Sequence, residues 1–591
     1  MNTPMVSITD PQAGESTPCA LRQRALQACS AGDHALALRC LQRAVELDPL
    51  DADLLADLAS TELEIGDVAS AWRHVRRALI VEPVHASARF TEAYLHAHTG
   101  DRRGAEALAE QLLGDGELEA GNPDLYRVVQ DHLTLWRTER LAADGVSILD
   151  PARLSLRERF DVLVKYLYAT ARLGMLPRWA NIEPVALYRR HIHVRTGGVE
   201  PGDEGRKGNL SDFTAQFDAL IDTMARDGFR PDRPIPLSAE DGLPRNGAHR
   251  LAAALAVGCH VAVKAHPGAG GRWGDDWFAR HGFSLEERNV LLRAWAAIKG
   301  EDAGVVVLWG PVETVWDEME SGIDAVLPVV SRRTVELPSQ SFGELVHDVY
   351  SFDWGPCTGE NIHRKVAFLR AHAPRVRVLF VERPADAGPT VFRDLKDHLR
   401  KRYAHLVPVD AYSTLHMTES AAEASHLIGM FASSTNLGWL RHRPALRPEL
   451  AQRLAEMRTA LASKGISSDD CCVVGSSVLD AFGLRAADDV DFTLRSHLRA
   501  AHFDQGVTHL SPTLDVVSAN YARSFGRHPA IDDDRLIDDP SYHFRVRGVR
   551  FACPQVVLTR KQHQRREKDF RDAGLLGAWL ERLQMEGSAR R

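Results

Sequence analysis

A glycine-serine turn followed by three spaced aspartates is the feature of this sequence best suited to chemistry. In DDCCVVGSSVLDAFGLRAADDVDFTL, CCVV reads as a strand and Gly475-Ser476-Ser477 as a tight turn. VLDAFGL then reads as a helix with Arg485 just beyond it, and DVDFTL as a second strand. Asp489 and Asp491 are two apart on that strand and share a face, with twelve residues between Ser476 and Asp489. Asp488 reads as a turn residue. A further strand, THLSPTLDVVSA, sets Asp515 between apolar neighbours. Three carboxylates brought together beside such a turn repel one another, and one or two divalent cations offset that repulsion. Asp489, Asp491 and Asp515 are the candidate ligands.

The elements that must position this cluster extend to the C-terminus. RVRGVRFACPQVVLTRKQHQRREKDFRDAGLL reads as a strand and a closing helix. Steps of four, three and four from Lys561 to Arg565, Lys568 and Asp572 put these residues on one helical face, with Asp569 next to it. Read alone, KQHQRREKDFRD is a solvated charged helix. Taken with the Gly-Ser turn, the Asp-x-Asp pair and the third acid, residues 446–591 resemble the polymerase-β-like nucleotidyltransferase superfamily. The resemblance implies a nucleotide site formed by Gly475, Ser476, Ser477, Lys561, Arg565 and Lys568. It also implies that Asp489 and Asp491 hold Mg²⁺ (or Mn²⁺), and that Asp515 completes the metal site or activates the attacking hydroxyl. The substrate would be a nucleoside triphosphate and the product pyrophosphate, by two-metal in-line displacement. Relatives of this fold include proteins that have lost catalysis, and the presence of all three carboxylates argues against loss here.

A second anion site is expected in PIPLSAEDGLPRNGAHRLAAALAVGCHVAVKAH. This segment parses as a short strand, a turn at Asp241-Gly242, the stretch Arg245-Asn246-Gly247-Ala248-His249-Arg250, a helix stopped by Gly258, and the strand HVAVKAH. A Gly-rich turn opening a helix and carrying His and Arg suits a phosphate. The segment resembles the ParB/sulfiredoxin-type domain, which implies phosphate binding by Arg245, Asn246, Gly247, His249 and Arg250. Asn246 stands where a related kinase pattern has Asp, which puts kinase chemistry in doubt. His249 and Arg250 read equally as surface residues of a first helical turn. Glu200, Asp203, Glu204 and Arg206, in the preceding Gly-rich loop, could clamp a phosphate or lie in solvent.

The N-terminal third repeats. Gly32-Asp33, Gly66-Asp67 and Gly100-Asp101 recur every 34 residues, as do Ala37, Ala71 and Ala105, and Pro49 is followed by Pro83. That period belongs to a helix-turn-helix solenoid. ALALRCLQRAVELDP and ASAWRHVRRALIVEP resemble the second helix and closing turn of tetratricopeptide repeats, which implies a groove for a protein or peptide partner. Three repeats that only dock against the rest of the chain explain the pattern equally well.

Between these regions, Ser284-x-x-Glu287 opens a helix as a capping box. Strand and helix signals then alternate through DAGVVVLW, ETVWDEMESGI, VLPVVSRRTVEL, SFGELVHDVY, KVAFLRAHA, VRVLFVE and TVFRDLKDHLRKRYA. This predicts an α/β domain with no readable activity. His416, Thr418 and Glu419 fall at a strand-to-helix junction where capping is the simpler role. His363 and Lys365 could face a site or water.

The 591 residues allow about four domains at roughly 150 each, and 72 Lys+Arg against 80 Asp+Glu give no global field for nucleic acid or anionic membranes. No apolar run is long enough to span a bilayer, and the first residues lack a basic stretch followed by an apolar one, so a cytoplasmic protein is expected. Eight Cys without a CxxC pair read as reduced thiols. The high Ala and Arg usage is what a bacterial chain is expected to show. The expected architecture is multidomain: a disordered tail over 1–17, a TPR-like α-solenoid over 18–140, a ParB-like α+β domain over 150–282, an α/β domain over 283–438 and a nucleotidyltransferase fold over 446–591. The expected function is metal-dependent nucleotidyl or phosphoryl transfer to a small-molecule acceptor, such as a sugar phosphate or a surface-glycan precursor. The alternatives are a nucleotide-sensing interaction protein and nucleotidyl modification of protein or RNA.

Overall fold

The computed structural model describes residues 17–114, 116–199, 207–352, 360–372, 374–407, 411–503, 508–517, 531–564 and 566–589. The expected disordered tail (apart from Thr17), the loop residues Glu200, Asp203, Glu204 and Arg206, and Arg565 lie outside these described residues. The structure is mostly helical with several small sheets, and it divides into two units, Met1–Ile148 and Leu149–Arg591.

In the first unit the Gly-Asp dipeptides do the work their spacing predicted. Gly32, Gly66 and Gly100 take left-handed φ of 77°, 84° and 92°, a conformation that suits glycine at a helix end. The following Asp then caps the next helix. Asp33 accepts from Leu36 N at 3.0 Å, Asp67 from Ser70 N at 3.1 Å and Asp101 from Gly104 N at 2.9 Å. Each dipeptide thus ends one helix and starts its antiparallel partner. This produces the hairpins Pro18–Ser30/His34–Leu47, Ala52–Glu64/Val68–Val81 and Ala86–His98/Arg102–Gly114. Ala37, Ala71 and Ala105 are fully buried, where a larger side chain would hold the paired helices apart.

In the second unit one apolar core runs from Leu154 to Leu440, so the expected 150–282 and 283–438 regions share a core. Ile235–Ser238 pairs in parallel with Val261–His266, and the helix Ala248–Val257 lies between them in sequence. The strands of the middle region pair antiparallel throughout, in the order Val329–Glu336, Arg375–Glu382, Ala303–Trp309, Leu415–Met417. Numbered along the chain this is order 2-3-1-4, the split βαβ arrangement. The predicted strand-helix alternation is present, but it does not build the open parallel sheet that such alternation usually signals. Both faces of the central strand are covered. Val305, Val307 and Trp309 point into the core shared with Leu154–Leu440, and Val306 and Leu308 pack under the helices Trp316–Asp324 and Val391–Tyr403.

The C-terminal region has its own core around a six-stranded mixed sheet. Its order is Thr508–Ser511, Leu514–Val516, Val490–Leu494, Cys471–Val474, Val549–Ala552, His543–Val546. Two elements differ from the sequence-based expectation. THLSPTLDVVSA is a hairpin and not one strand, because the chain turns at Pro512-Thr513 and Thr508–Ser511 folds back on Leu514–Val516. The closing helix is two helices, Pro554–Gln564 and Glu567–Ala589, so Lys561 does not share one helical face with Lys568 and Asp572.

This region is bolted to the middle one by buried charge. Arg443, fully buried, donates to Asp348 Oδ2 at 2.8 Å, Glu344 Oε2 at 3.0 Å and the carbonyl of Arg545 at 2.7 Å. Arg547 adds a bond to Glu344 Oε1 at 3.0 Å, and its backbone N–H donates to Asp348 Oδ1 at 2.6 Å.

Candidate functional site

The aspartate cluster is assembled by strand register. Cys471–Val474 runs antiparallel to Val490–Leu494 with Val474 opposite Asp491, and Leu514–Val516 runs parallel on the other side with Asp515 opposite Asp491. Asp489 precedes the central strand by one residue and keeps the same facing as Asp491. Carboxylate oxygens of Asp489, Asp491 and Asp515 all lie within 4.8 Å of one another, and all three residues are half-buried. Burial, then the charges of Asp489 and Asp515, push the Asp491 carboxyl up to about 6. Crowded, partly dehydrated carboxylates with only oxygen donors fit a hard divalent cation such as Mg²⁺.

Gly475 is required at the lip of this cluster. Its φ is +73°, and a Cβ built there would come 2.7 Å from Asp491 Oδ2. Gly475→Ala is therefore expected to cost about 1–3 kcal/mol through backbone strain and to displace the Asp491 carboxylate. Thermal unfolding together with metal titration checks this, and an unchanged metal affinity would show that the contact is dispensable. Ser476 is half-buried at the turn, whereas Ser477 is fully buried and its Oγ donates to the Asp489 carbonyl at 2.8 Å. Ser477 thus ties the turn to the strand that carries the aspartates and has no face toward a nucleotide. The loop before Asp489 is pinned as well: Ala487 N donates to Asp480 Oδ2 at 2.9 Å, and Arg453 Nη1 donates to the Ala487 carbonyl at 2.5 Å.

Lys561 is buried, and its ammonium pairs with Asp569 at 2.9 Å and Asp572 at 2.8 Å. Arg485 closes on Asp572 at 2.6 Å. These residues clamp the last helix against the turn, and the Lys561 charge, besides pairing with Asp569 and Asp572, also reaches Asp491. Lys568 is exposed.

Two residues absent from the sequence reading join the site. His509 stands directly across from Asp515, its Nδ1 2.7 Å from Asp515 Oδ1, a contact created by the unanticipated hairpin. Arg560 is a cation whose charge is opposed by burial and favoured by Asp491. Its place one residue before Lys561, in a segment dense in charge, carried no distinguishing signal.

The expected anion site at residues 245–250 is arranged differently from expectation. Gly247 does open the helix Ala248–Val257, with φ of 82°, and Gly258 ends it. His249, however, faces inward: its Nε2 lies 3.0 Å from the Tyr188 hydroxyl and its ring packs edge-on against Phe217. Burial, reinforced by the Lys165 charge, holds its pKa well below the usual value, so it is a neutral packed ring and not a phosphate-facing cation. Arg250 donates to the carbonyls of Arg233 and Pro234, and Arg245 lies against Gly268. Asn246 is exposed, and its Oδ1 accepts from Gly247 N at 2.7 Å. Arg245, Asn246 and Gly247 form the turn and the Arg250 guanidinium lies against Gly247, while His249 is turned toward Tyr188 and Phe217.

At the strand-to-helix junction of the middle region, His416 is buried 2.9 Å from Glu423 Oε1, and Thr418 Oγ1 accepts from Val305 N at 3.0 Å. Glu419 pairs with Arg393 at 3.1 Å, and Ser420 caps the helix by accepting from Glu423 N at 3.2 Å. Lys365 is buried and donates to the Tyr412 carbonyl at 2.7 Å.

No protein-family model matches the chain, and no curated protein matches its sequence. Among the described residues no helix is long and apolar enough to cross a membrane.

Proposed function

We propose that this chain is a divalent-cation-dependent transferase that moves a nucleotidyl group from a nucleoside triphosphate to a hydroxyl of a small molecule, with a polymerase-β-like nucleotidyltransferase fold at its C-terminus. The observation that carries the reading is the convergence of Asp489, Asp491 and Asp515 beside a glycine whose missing side chain keeps the lip of the cluster clear. Mg²⁺ or Mn²⁺ bound there would neutralise phosphate charge and favour the ionised acceptor hydroxyl. The chain's own residues do the rest. Ser477 and the pinned loop fix the position of Asp489. Gly475 leaves room for a phosphate to approach, Ser476 offers a hydroxyl at the turn, and His509 orients the Asp515 carboxylate. Arg560 supplies positive charge on the Asp491 side. The acceptor oxygen bonds to the α-phosphorus, its proton passes to a base at the cluster, and the bond to the leaving pyrophosphate breaks.

In this reading the turn at Arg245, Asn246 and Gly247 holds a second phosphate-bearing ligand, the helix hairpins of residues 18–140 bind a protein or peptide partner, and the protein works in the cytoplasm of a bacterium. A sugar phosphate or surface-glycan precursor suits the acceptor role. A nucleotide-sensing interaction protein is the second reading, favoured by the three consecutive helix hairpins of residues 18–114.

Full-length protein incubated with Mg²⁺, a metabolite extract and nucleoside triphosphates labelled at either the α- or the γ-phosphate separates these readings. Label from the α-position in a new small product, with pyrophosphate release, is expected. Transfer of γ-label alone would indicate phosphoryl transfer, and α-label on protein or RNA would indicate macromolecular modification. Nucleotide binding without any product would favour the sensing role.

A further inference from the structure

A second set of metal-binding donors lies in the first unit, far in sequence from the aspartates and of different chemistry. Cys29, in the last turn of the helix Pro18–Ser30, His34, first residue of the next helix, and Glu64, last residue of the helix Ala52–Glu64, bring a sulfur, an imidazole nitrogen and a carboxylate oxygen within 4.8 Å of one another. The left-handed turn at Gly32 folds Cys29 and His34 onto one spot, and the next hairpin delivers Glu64 to it. His34 Nδ1 is 2.9 Å from Glu64 Oε2 yet finds no hydrogen bond of acceptable geometry, so the nitrogen is aimed at the cluster without being satisfied by it. The Cys29 sulfur has a weak polar neighbour in Thr61 Oγ1 at 3.8 Å, and the side chain otherwise packs against the apolar cluster of the first hairpin.

The repeat itself supplies the comparison that makes this set unusual. A shift of 34 residues carries Cys29, His34 and Glu64 to Leu63, Val68 and His98. At that second junction Leu63 and Val68 pack against the apolar cluster of Ala59, Ala71, Val75 and Leu95. Ala25, Ala37 and Leu41 close the first junction in the same way, with Cys29 packed against them. What sets the first junction apart is that Cys29 and His34 stand where the second has Leu63 and Val68, with Glu64 beside them.

We propose that Cys29, His34 and Glu64 bind a borderline transition-metal cation, Zn²⁺ by its chemistry, which ties the first helix hairpin to the second. Thiolate, imidazole and carboxylate together are zinc donors and poor magnesium donors, and three protein ligands leave a fourth tetrahedral position for water. On binding, the Cys29 thiol loses its proton to solvent and the sulfur donates to the metal. The proposal is independent of the transferase reading, because the aspartate cluster offers only hard oxygen.

Co²⁺ tests it, since a thiolate-cobalt bond gives a near-ultraviolet charge-transfer band that carboxylates cannot produce. Full-length, metal-free, reduced protein titrated with Co²⁺ is expected to show this band, with tetrahedral visible bands, saturating at one ion per chain and bleached by Zn²⁺. Cys29→Ser should lose the band, and His34→Ala should weaken Co²⁺ binding roughly 10-fold or more. Asp489→Asn/Asp491→Asn should leave the band unchanged. Absence of the band in the wild type, or its survival in Cys29→Ser, would overturn the assignment. If Cys29→Ser fails to fold by circular dichroism, His34→Ala decides alone, and wild-type affinity in that variant overturns the proposal.

Discussion

Asp489→Asn/Asp491→Asn is expected to be more stable than the wild type without metal and inactive with it. The reason is the raised Asp491 carboxyl. With the folded value near 6 and an unfolded aspartate near the ordinary 3.8, the folded state holds more protons between those values. Stability therefore falls as pH rises through that window and is flat above it. Removing the charge removes the fall, a gain on the order of 1–2 kcal/mol above pH 6 after allowing for solvent screening of a half-buried group. Adding Mg²⁺ reverses the ranking, because binding stabilises only the protein that retains the ligands. Transfer activity should drop by about 10³-fold or more, since the loss of two metal ligands removes the charge stabilisation on which phosphoryl chemistry rests. Thermal unfolding from pH 4 to 8, with and without Mg²⁺, and a pyrophosphate-release assay read these effects. A double variant less stable than wild type in the absence of metal would contradict the account of the cluster.

Arg443→Met is expected to have the largest effect on folding. Arg443 is fully buried and bonded to Asp348, Glu344 and the Arg545 carbonyl. Methionine keeps much of the volume but leaves Asp348 buried beside only the Arg547 backbone N–H. Breaking a buried pair from one side costs about 3–5 kcal/mol. Burial already pushes Asp348 above the usual carboxyl range, with Arg443 opposing that push, so without Arg443 the residue favours its protonated form more strongly. The deficit should narrow as pH falls, and Asp348→Asn in the Arg443→Met background should recover part of it. Chemical denaturation at pH 5 and 7 measures both. A loss under about 1 kcal/mol would show that the interlock does not hold the two regions together.

The features legible in the sequence are those written in local chemistry. The Gly-Asp turns were readable because each dipeptide is both the end and the beginning of a helix, and the Asp489–Asp491 pair because residues two apart on a strand share a face whatever surrounds them. What was missed depends on non-local pairing. Reading THLSPTLDVVSA as one strand puts His509 and Asp515 about 20 Å apart, whereas the hairpin sets them side by side. His249 carries the composition of an anion ligand, and only the packing of Tyr188 and Phe217 around it turns it inward. The split between Gln564 and Glu567 converts Lys561 from a presumed nucleotide contact into the partner of Asp569 and Asp572. The middle sheet shows the same limit. Alternating strands and helices are common to parallel sheets and to the split βαβ order, and the choice is made by where Arg375–Glu382 inserts, between Ala303–Trp309 and Val329–Glu336.

The central claim is that Asp489, Asp491 and Asp515 form a metal site for a nucleoside triphosphate. Calorimetric titration of the full-length protein with a non-hydrolysable nucleoside triphosphate, with Mg²⁺ present or chelated, tests it most directly. The account predicts saturable binding that requires Mg²⁺ and disappears in Asp489→Asn/Asp491→Asn. Equal binding by wild type and double variant, or binding indifferent to Mg²⁺, would contradict it.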